Sequence, residues 1–234
     1  MKSKAIGLAG SLMVLAAVLF GAACSDSDNE KSPATTATPL VEVDSEGSTG
    51  INSGRLEDEV EALSEGDLTS AEIAGVLFVR EEEKLARDVY QELAKSSSLP
   101  IFTNIGRSEQ THMDAVKVLI DQYDLKDPVL ASGRFVNTDL QALYDRLVAQ
   151  GRANQVEALK VGAAIEEIDL VDLAARMAET DEAAIKLVYE NLMKGSRNHL
   201  RSFVSTLDRQ GVKYTPIALS QAEFDRIIGG SIER

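Results

Sequence analysis

The chain has 234 residues, two histidines and one cysteine, and its formal net charge at pH 7 is −14. This length fits one domain with its own core plus terminal extensions. Such strong acidity argues against nucleic acid as a partner and against membrane attachment through basic residues, and a single cysteine excludes a disulfide within the chain.

The N-terminal residues predict an export signal and a lipid anchor. Residues 1–4 are basic and residues 5–20 form an apolar run, as in a secretory signal, and the run is too short for a stable membrane span. Small residues directly precede Cys24, which resembles the bacterial lipobox. We therefore predict a lipoprotein signal peptide at residues 1–23 and a lipidated Cys24, which would attach the protein to a membrane of the cell envelope, outside the cytoplasm. The alternative is an ordinary cleaved signal with an incidental cysteine.

The next segment, residues 24–67, is rich in Ser, Thr, Asp, Glu, Gly and Pro and has few large apolar side chains. Such a composition does not offset the entropy lost on ordering, so we predict a disordered acidic tether. Within it, residues 55–63 have helical spacing, but Gly54 and Gly66 bracket them and charge dominates. No segment of the chain has the periodicity of a strand.

The remainder, residues 68–230, predicts one helical domain. Capping boxes at Thr69 and Ser220 mark the start of its first and last helices. Apolar periodicity and breakers predict helices over residues 70–95, 100–123, 138–150, 153–178 and 181–210, and a short one from residue 220. The predicted fold is all-α: a four-helix bundle with a long crossover between the second and third long helices and a short C-terminal helix.

Each long helix carries polar residues on its apolar stripe, where side chains should point into the core. These residues are Glu83 on the first long helix, Glu109 and His112 on the second, Glu166 with Asp169 beside it on the third, and Ser196 and His199 on the fourth. Both histidines of the chain are among them. Several carboxylates in one dry core would repel each other unless protonated or neutralised by a cation, so the pattern predicts a divalent metal site.

Glutamate and imidazole ligands together suit iron, manganese or zinc better than calcium or copper(I). The alternative is a metal-free polar network, in which basic side chains reach into the core and form buried ion pairs. The candidates for that role are Lys84, Arg87, Arg197 and Arg201. Tyr90, on the ligand stripe of the first helix, could hydrogen-bond a metal ligand or a bound oxygen species, or could simply pack in the core.

Several of these segments resemble known helix motifs. The segments that resemble rubrerythrin-type ferritin-like proteins are Glu83-x-x-Ala86-Arg87-x-x-Tyr90, Glu109-x-x-His112 and Ala163-Ala164-Ile165-Glu166. More closely, residues 80–90, 109–113 and 195–201 resemble the family called domain of unknown function 2202, over about Thr69 to Ile228. The resemblance implies a ferritin-like fold with a di-iron carboxylate centre. It implies Glu83 and Glu166 as terminal ligands, Glu109 as the bridging ligand, and His112 and His199 as nitrogen ligands.

One departure from the ferritin-like pattern lies on the fourth helix. That helix should offer a second Glu-x-x-His, but Ser196 stands where the glutamate is expected. Asp169 or Glu167 could supply the missing oxygen in an asymmetric two-metal site, or the site could hold a single metal.

Two functions from different classes follow from these patterns. The first is an envelope-anchored metal protein, most simply with two irons, that oxidises Fe(II) or reduces O2 or peroxide. The second is a non-catalytic, lipid-anchored interaction module, in which a metal or a polar network only stiffens the bundle. The expected partners are metal ions and, through the lipid, a membrane, with a homodimer as a further option.

Overall fold

The computed structural model describes residues 39–44, 47–64 and 66–234. The predicted signal peptide and Cys24 lie outside the described residues. In the described part of the chain, no helix combines the length and the apolar character needed to cross a membrane.

The described part is mostly helical, with seven helices and one small antiparallel sheet. The strands are β1 (Val41–Val43) and β2 (Thr49–Ile51), paired in the register Val41 with Ile51. The helices are α1 (Ser53–Leu63), α2 (Ser70–Ala94), α3 (Pro100–Gln122), α4 (Thr138–Gly151), α5 (Gln155–Ala178), α6 (Ala183–Arg209) and α7 (Gln221–Ile228). The six helices predicted between residues 70 and 228 are confirmed to within a few residues at each end.

Side chains at the helix starts explain why the boundaries fall where they do. At α2, Thr69 and Glu72 satisfy each other's backbone N–H groups in a reciprocal capping box. Asn137 and Asn154 accept backbone N–H groups at the starts of α4 and α5, and Ser220 does the same for α7. Local sequence therefore sets where these four helices begin.

Four long helices surround one interior. Helix α2 packs mainly on α3 and α5 mainly on α6, and the two pairs meet where α3 lies on α6 and α2 on α5. Helix α4 lies in the connection from α3 to α5 and packs on α2 and α5. Two clusters of buried apolar residues fill the interior. On α2 the clusters are separated by residues 80–84 and on α3 by residues 108–112, so the polar residues form a band between them.

The prediction of a disordered tether is wrong for much of residues 39–63, which form the β1–β2 hairpin and α1. The segment has few large apolar side chains, but four of them, Val41, Ile51, Leu56 and Val60, are at most 7% exposed. They pack on a surface that α3 and α6 already provide. A few anchors are sufficient here because the rest of the core comes from residues far along the chain.

Two buried glutamates fasten loops to the long helices. On α5, Glu167 Oε2 accepts the backbone N–H groups of residues 217–219 at distances of 2.9, 2.8 and 2.9 Å. On α2, Glu81 accepts those of residues 136 and 137, at 2.5 and 3.1 Å. Glu167 was one of two candidates for the missing metal-ligand oxygen, and the structure engages it in holding the segment before α7.

Candidate metal centre

Five of the predicted ligand residues meet in the interior, one or two from each long helix. They are Glu83, Glu109, His112, Glu166 and His199, and each is at most 2% exposed. Among the described residues, Glu109, His112 and His199 form a group whose potential ligand atoms all lie within 4.8 Å of one another.

The carboxylate of Glu109 lies between the two imidazoles. Its Oε2 is 2.8 Å from His112 Nδ1, and its Oε1 is 2.9 Å from His199 Nδ1. The two rings are stacked, with centroids 5.2 Å apart and planes inclined by 18°. The contact between Glu109 Oε1 and His199 Nδ1 is close but not aligned as a hydrogen bond, and neither atom has another hydrogen-bond partner in the described structure. One carboxylate thus faces a nitrogen donor on each side.

Each imidazole also faces a second carboxylate of its own. Glu83 Oε2 lies 3.3 Å from His112 Nδ1, and Glu166 Oε2 lies 3.5 Å from His199 Nδ1. Tyr90 donates a hydrogen bond of 2.5 Å from its hydroxyl to Glu166 Oε1. Of its two predicted roles, Tyr90 therefore takes the one that orients a candidate ligand, although its ring is also packed in the core.

Asp169, the sixth predicted ligand, lies beside these five residues. It is 5% exposed and interacts electrostatically with Glu83, Glu166 and Glu109. Ser196 donates a hydrogen bond to Asp169 Oδ2, while Oδ1 has no hydrogen-bond partner among the described residues. The serine that replaces the expected glutamate on the fourth long helix therefore holds an aspartate of the third.

Burial and mutual proximity shift the pKa values of the carboxyl groups in opposite directions. Burial raises the pKa of Glu83 to about 7, although His112 acts against this shift. Burial also raises the pKa of Glu166, and it raises that of Asp169 well above its ordinary value. Burial acts in the same direction at Glu109, but the two imidazoles outweigh it and hold the pKa of Glu109 below its usual range.

The neighbouring carboxylates raise the pKa values of both imidazoles. Burial alone would lower their pKa values, but Glu109 and the second carboxylate beside each ring outweigh it. The pKa of His199 rises to about 9, and that of His112 rises well above its ordinary value. Without a cation, the site therefore holds protons that a divalent metal would have to displace.

The four basic residues considered as internal counter-ions are engaged elsewhere. Lys84 and Arg87 pair with Asp88, at 2.5 and 2.8 Å, and Arg197 and Arg201 pair with Glu233, at 2.5 and 2.7 Å. The metal-free alternative requires these four residues to form ion pairs with the carboxylates of the site. They pair with Asp88 and Glu233 instead.

The residues present fit a divalent metal. Buried atoms without a hydrogen-bond partner in the described residues include oxygens of Glu82, Glu83, Glu109 and Asp169 and Nδ1 of His199. Buried polar atoms are rarely left in this state, so their concentration here calls for a further partner. A mixed set of carboxylate oxygens and imidazole nitrogens is suited to iron, manganese or zinc.

Two residues that sequence reasoning missed contact the imidazoles from the opposite side. Thr49 Oγ1, on β2, lies 3.0 Å from Nε2 of His112 and 3.0 Å from Nε2 of His199. Ser108 Oγ lies 2.9 Å from Nε2 of His199. Ser108 directly precedes Glu109 on α3, so its position offered a signal. Thr49 lies in the segment predicted as a tether, and no local pattern marks it.

Gly195 allows α6 to approach His112 closely. A Cβ atom at this position would lie 2.4 Å from Nε2 and Cε1 of His112 and 2.9 Å from Oγ1 of Thr49. We expect Gly195→Ala to displace the imidazole, to destabilise the protein by about 1–3 kcal/mol and to weaken metal uptake. Melting temperature and metal content measure both effects. The control is Gly54→Ala on α1, where a Cβ would meet only a side-chain oxygen at 3.8 Å. Equal behaviour of the two variants would show that the close approach has no consequence.

Comparisons with known proteins agree with the described fold. Residues 72–231 match the model of a family described as an uncharacterized protein domain, DUF2202. The protein of Methanocaldococcus jannaschii described as uncharacterized protein MJ0754 is 49% identical over 177 residues, which is 75% of this chain and 96% of that protein. The crystal structure of hypothetical protein MJ0754 from Methanococcus jannaschii matches with a TM-score of 0.71 and 49% identity, covering 73% of this chain and 99% of that one.

Proposed function

Since this chain belongs to the DUF2202 family, whose description states no reaction, we propose a function from its own residues: a ferritin-like metal protein with a di-iron carboxylate centre. The observation that carries the proposal is the position of Glu109, whose two carboxylate oxygens face Nδ1 of His112 and Nδ1 of His199 at 2.8 and 2.9 Å. A carboxylate that faces one nitrogen donor on each side is suited to bridge two cations.

The arrangement of the helices supports the ferritin-like part of the proposal. Four long helices pack in two pairs around one interior, and the long connection from α3 to α5 carries α4. Di-iron carboxylate proteins of this type take glutamates from two helices and Glu-x-x-His motifs from the other two, all pointing inward. In this chain Glu109 and His112 supply one such motif, and His199 retains the histidine of the second.

The proposed ligands follow from the contacts around the two imidazoles. Glu83 and Glu166 are the terminal carboxylates, Glu109 is the bridge, and the nitrogen ligands are His112 and His199. We propose that Asp169, which accepts a hydrogen bond from Ser196, supplies the carboxylate that is missing from the fourth long helix. Iron is our first choice of metal, and manganese and zinc suit the same donors.

Bound iron would supply one-electron redox chemistry, so the reaction we propose is oxidation of Fe(II) or reduction of O2 or peroxide. The chain's own residues prepare the site for this role. Tyr90 fixes the orientation of Glu166 through its hydroxyl, and the apolar clusters on either side of the polar band limit the access of water.

The location we propose is the cell envelope, with Cys24 as the lipidated residue. This part of the proposal is supported by the basic and apolar N-terminal sequence and by the small residues before the cysteine. The strongly acidic composition supports a protein that uses no nucleic acid as a partner.

Metal analysis of residues 25–234, purified without chelator, tests the proposed centre. We expect about two iron ions per chain, as in other di-iron carboxylate bundles, together with a visible absorption band that bleaches on anaerobic reduction. Protein that contains no metal and takes up none when iron, manganese or zinc is added would contradict the proposal.

The second candidate is an interaction module with a purely structural polar core. The observation that favours it is that Glu109 and the imidazoles already attract each other without a cation, at 2.8 and 2.9 Å. This candidate predicts that a chelator leaves the melting temperature unchanged. The di-iron proposal predicts a clear fall, because ligands that bind only the folded state stabilise it.

A further inference from the structure

We infer that Thr49, supplied by the β1–β2 hairpin, is a positioning residue that fixes both imidazoles of the metal centre with their Nδ1 atoms free for metal. The inference rests on the proposed function, which it deepens by adding a residue from outside the four long helices. Thr49 also lies outside residues 72–231, the part of the chain that the family model matches.

The contacts of Thr49 are buried and converge on one oxygen atom. The residue is 2% exposed. Its Oγ1 has three polar neighbours at 3.0 Å, namely Nε2 of His112, Nε2 of His199 and Oγ of Ser108. Both imidazoles therefore face the carboxylates with Nδ1 and the hydroxyl of Thr49 with Nε2.

In the metal-bound state, the number of protons available fixes which atom donates in each of these hydrogen bonds. A neutral imidazole that binds a metal through Nδ1 must carry its proton on Nε2. A hydroxyl oxygen can accept two hydrogen bonds and donate one. Thr49 Oγ1 therefore accepts from both Nε2–H groups and donates its proton to Ser108 Oγ.

Ser108 closes the network and ties it to the backbone of the hairpin. Its hydroxyl donates to the carbonyl oxygen of Thr49 and accepts the backbone N–H of Thr49 at 2.6 Å. The proton of Ser108 is thereby used, which leaves Thr49 to donate to Ser108 and accept from the rings. Histidine ligands of metals commonly have their second nitrogen held by such a partner, which fixes the ring and its tautomer.

The two histidines depend on Thr49 to different degrees. When the threonine hydroxyl is absent, Ser108 Oγ no longer accepts its proton and can accept from His199 Nε2, which lies 2.9 Å away. For His112 Nε2, Thr49 is the acceptor that the described structure provides. Loss of the threonine hydroxyl should therefore disturb His112 more than His199.

The test compares Thr49→Val, which keeps the shape of the side chain but removes the hydroxyl, with Thr49→Ser, which retains it. Cobalt(II) is the probe, because its visible absorption reports its ligands. We expect Thr49→Val to bind cobalt about 10–100-fold more weakly, as when the partner of a metal-ligating histidine is removed, and Thr49→Ser to restore binding. Nitrogen-15 NMR of the metal-free proteins should show Nε2–H on both rings in wild type and in Thr49→Ser, and a changed His112 signal in Thr49→Val.

Thr111→Val is the matched control for loss of a hydroxyl at the same interface. Thr111 Oγ1 accepts the backbone N–H of Ile51 at 3.2 Å and donates to the carbonyl oxygen of Ser108 at 2.8 Å. The first of these bonds holds the hairpin on α3 through a group other than the imidazoles. We expect this variant to lose stability but to keep the wild-type imidazole spectrum and cobalt affinity.

Failure of this inference and failure of the proposed function give different results. Wild-type cobalt affinity in Thr49→Val would overturn the role of Thr49 and leave the metal centre standing. If the wild-type protein itself bound no cobalt, the proposed function would fail, and the metal-free NMR spectra would still decide the inference about Thr49. Unchanged imidazole signals in metal-free Thr49→Val would overturn the inference without any metal.

Discussion

Glu109→Ala protein is expected to take up no metal while keeping its helical fold. The carboxylate of Glu109 is the one group in the described structure that faces Nδ1 of both imidazoles, so its removal takes a ligand from both proposed metal positions at once. The fold should survive because the two apolar clusters on either side of the polar band remain intact. His112→Ala should give the same result by removing a nitrogen ligand. Metal content and the circular dichroism spectrum of each variant measure the two parts of the expectation.

Glu167→Ala is the matched control, since it also removes a buried glutamate from a long helix. Glu167 holds three backbone N–H groups of the segment before α7 and contacts neither histidine in the described structure. Its loss should cost about 1–3 kcal/mol for each buried donor that is left without a partner, while metal uptake stays at the wild-type level. Metal stoichiometry that was unchanged in both Glu109→Ala and His112→Ala would sink the ligand assignment.

The second large effect is a fall in the stability of the metal-free protein as the pH rises from about 5 to about 9. The pKa of His199 is raised to about 9 in the folded state. Its contribution to stability is therefore complete below its unfolded pKa, about 6.5, and disappears as the pH rises through about 9. His112, whose pKa is also raised, acts in the same direction.

Glu83 adds to the fall at the lower end of this range. Burial keeps it protonated in the folded state up to a pKa of about 7, against 4.5 as its ordinary value. Unfolding above pH 4.5 then releases a proton, so stability declines until the pH reaches about 7. Glu109 has the opposite shift, and its contribution is lost only on the acid side, below its ordinary pKa.

Melting temperatures measured across this pH range, with and without bound metal, test the titration argument. Metal binding requires deprotonated ligands, so the stabilisation by metal should increase as the pH rises. Glu109→Ala serves as the comparison, because it removes the main partner of both imidazoles. Its metal-free form should show a flatter pH profile than wild type. A metal-free wild-type profile that was flat or rising over this range would contradict the argument.

The sequence was most informative about features that depend on residues close together in the chain. Capping boxes and apolar periodicity predicted the helices from residue 70 onward, and the same periodicity predicted that Glu83, Glu109 and His199 point inward, because a helix fixes which positions share a face. The structure brings these side chains together as expected. That they bind iron, and that Cys24 carries a lipid, stay predictions.

The parts that could not be predicted depend on contacts between distant segments. Val41 and Ile51 become ordered because α3 and α6 present a surface to them, which the composition of their own segment does not reveal. Thr49 reaches the histidines across 63 and 150 positions of the chain. Glu167 had the same appearance in sequence as a ligand, and only the position of residues 217–219 shows what it holds.

If the centre binds metal as we propose, the contact of Thr49 with both imidazoles couples the docking of the hairpin to the occupation of the centre. If a docked hairpin increases the affinity for metal, then metal must hold the hairpin down by the same free energy. A protease that cleaves between β1 and β2 would then cut the loaded protein more slowly than the empty one.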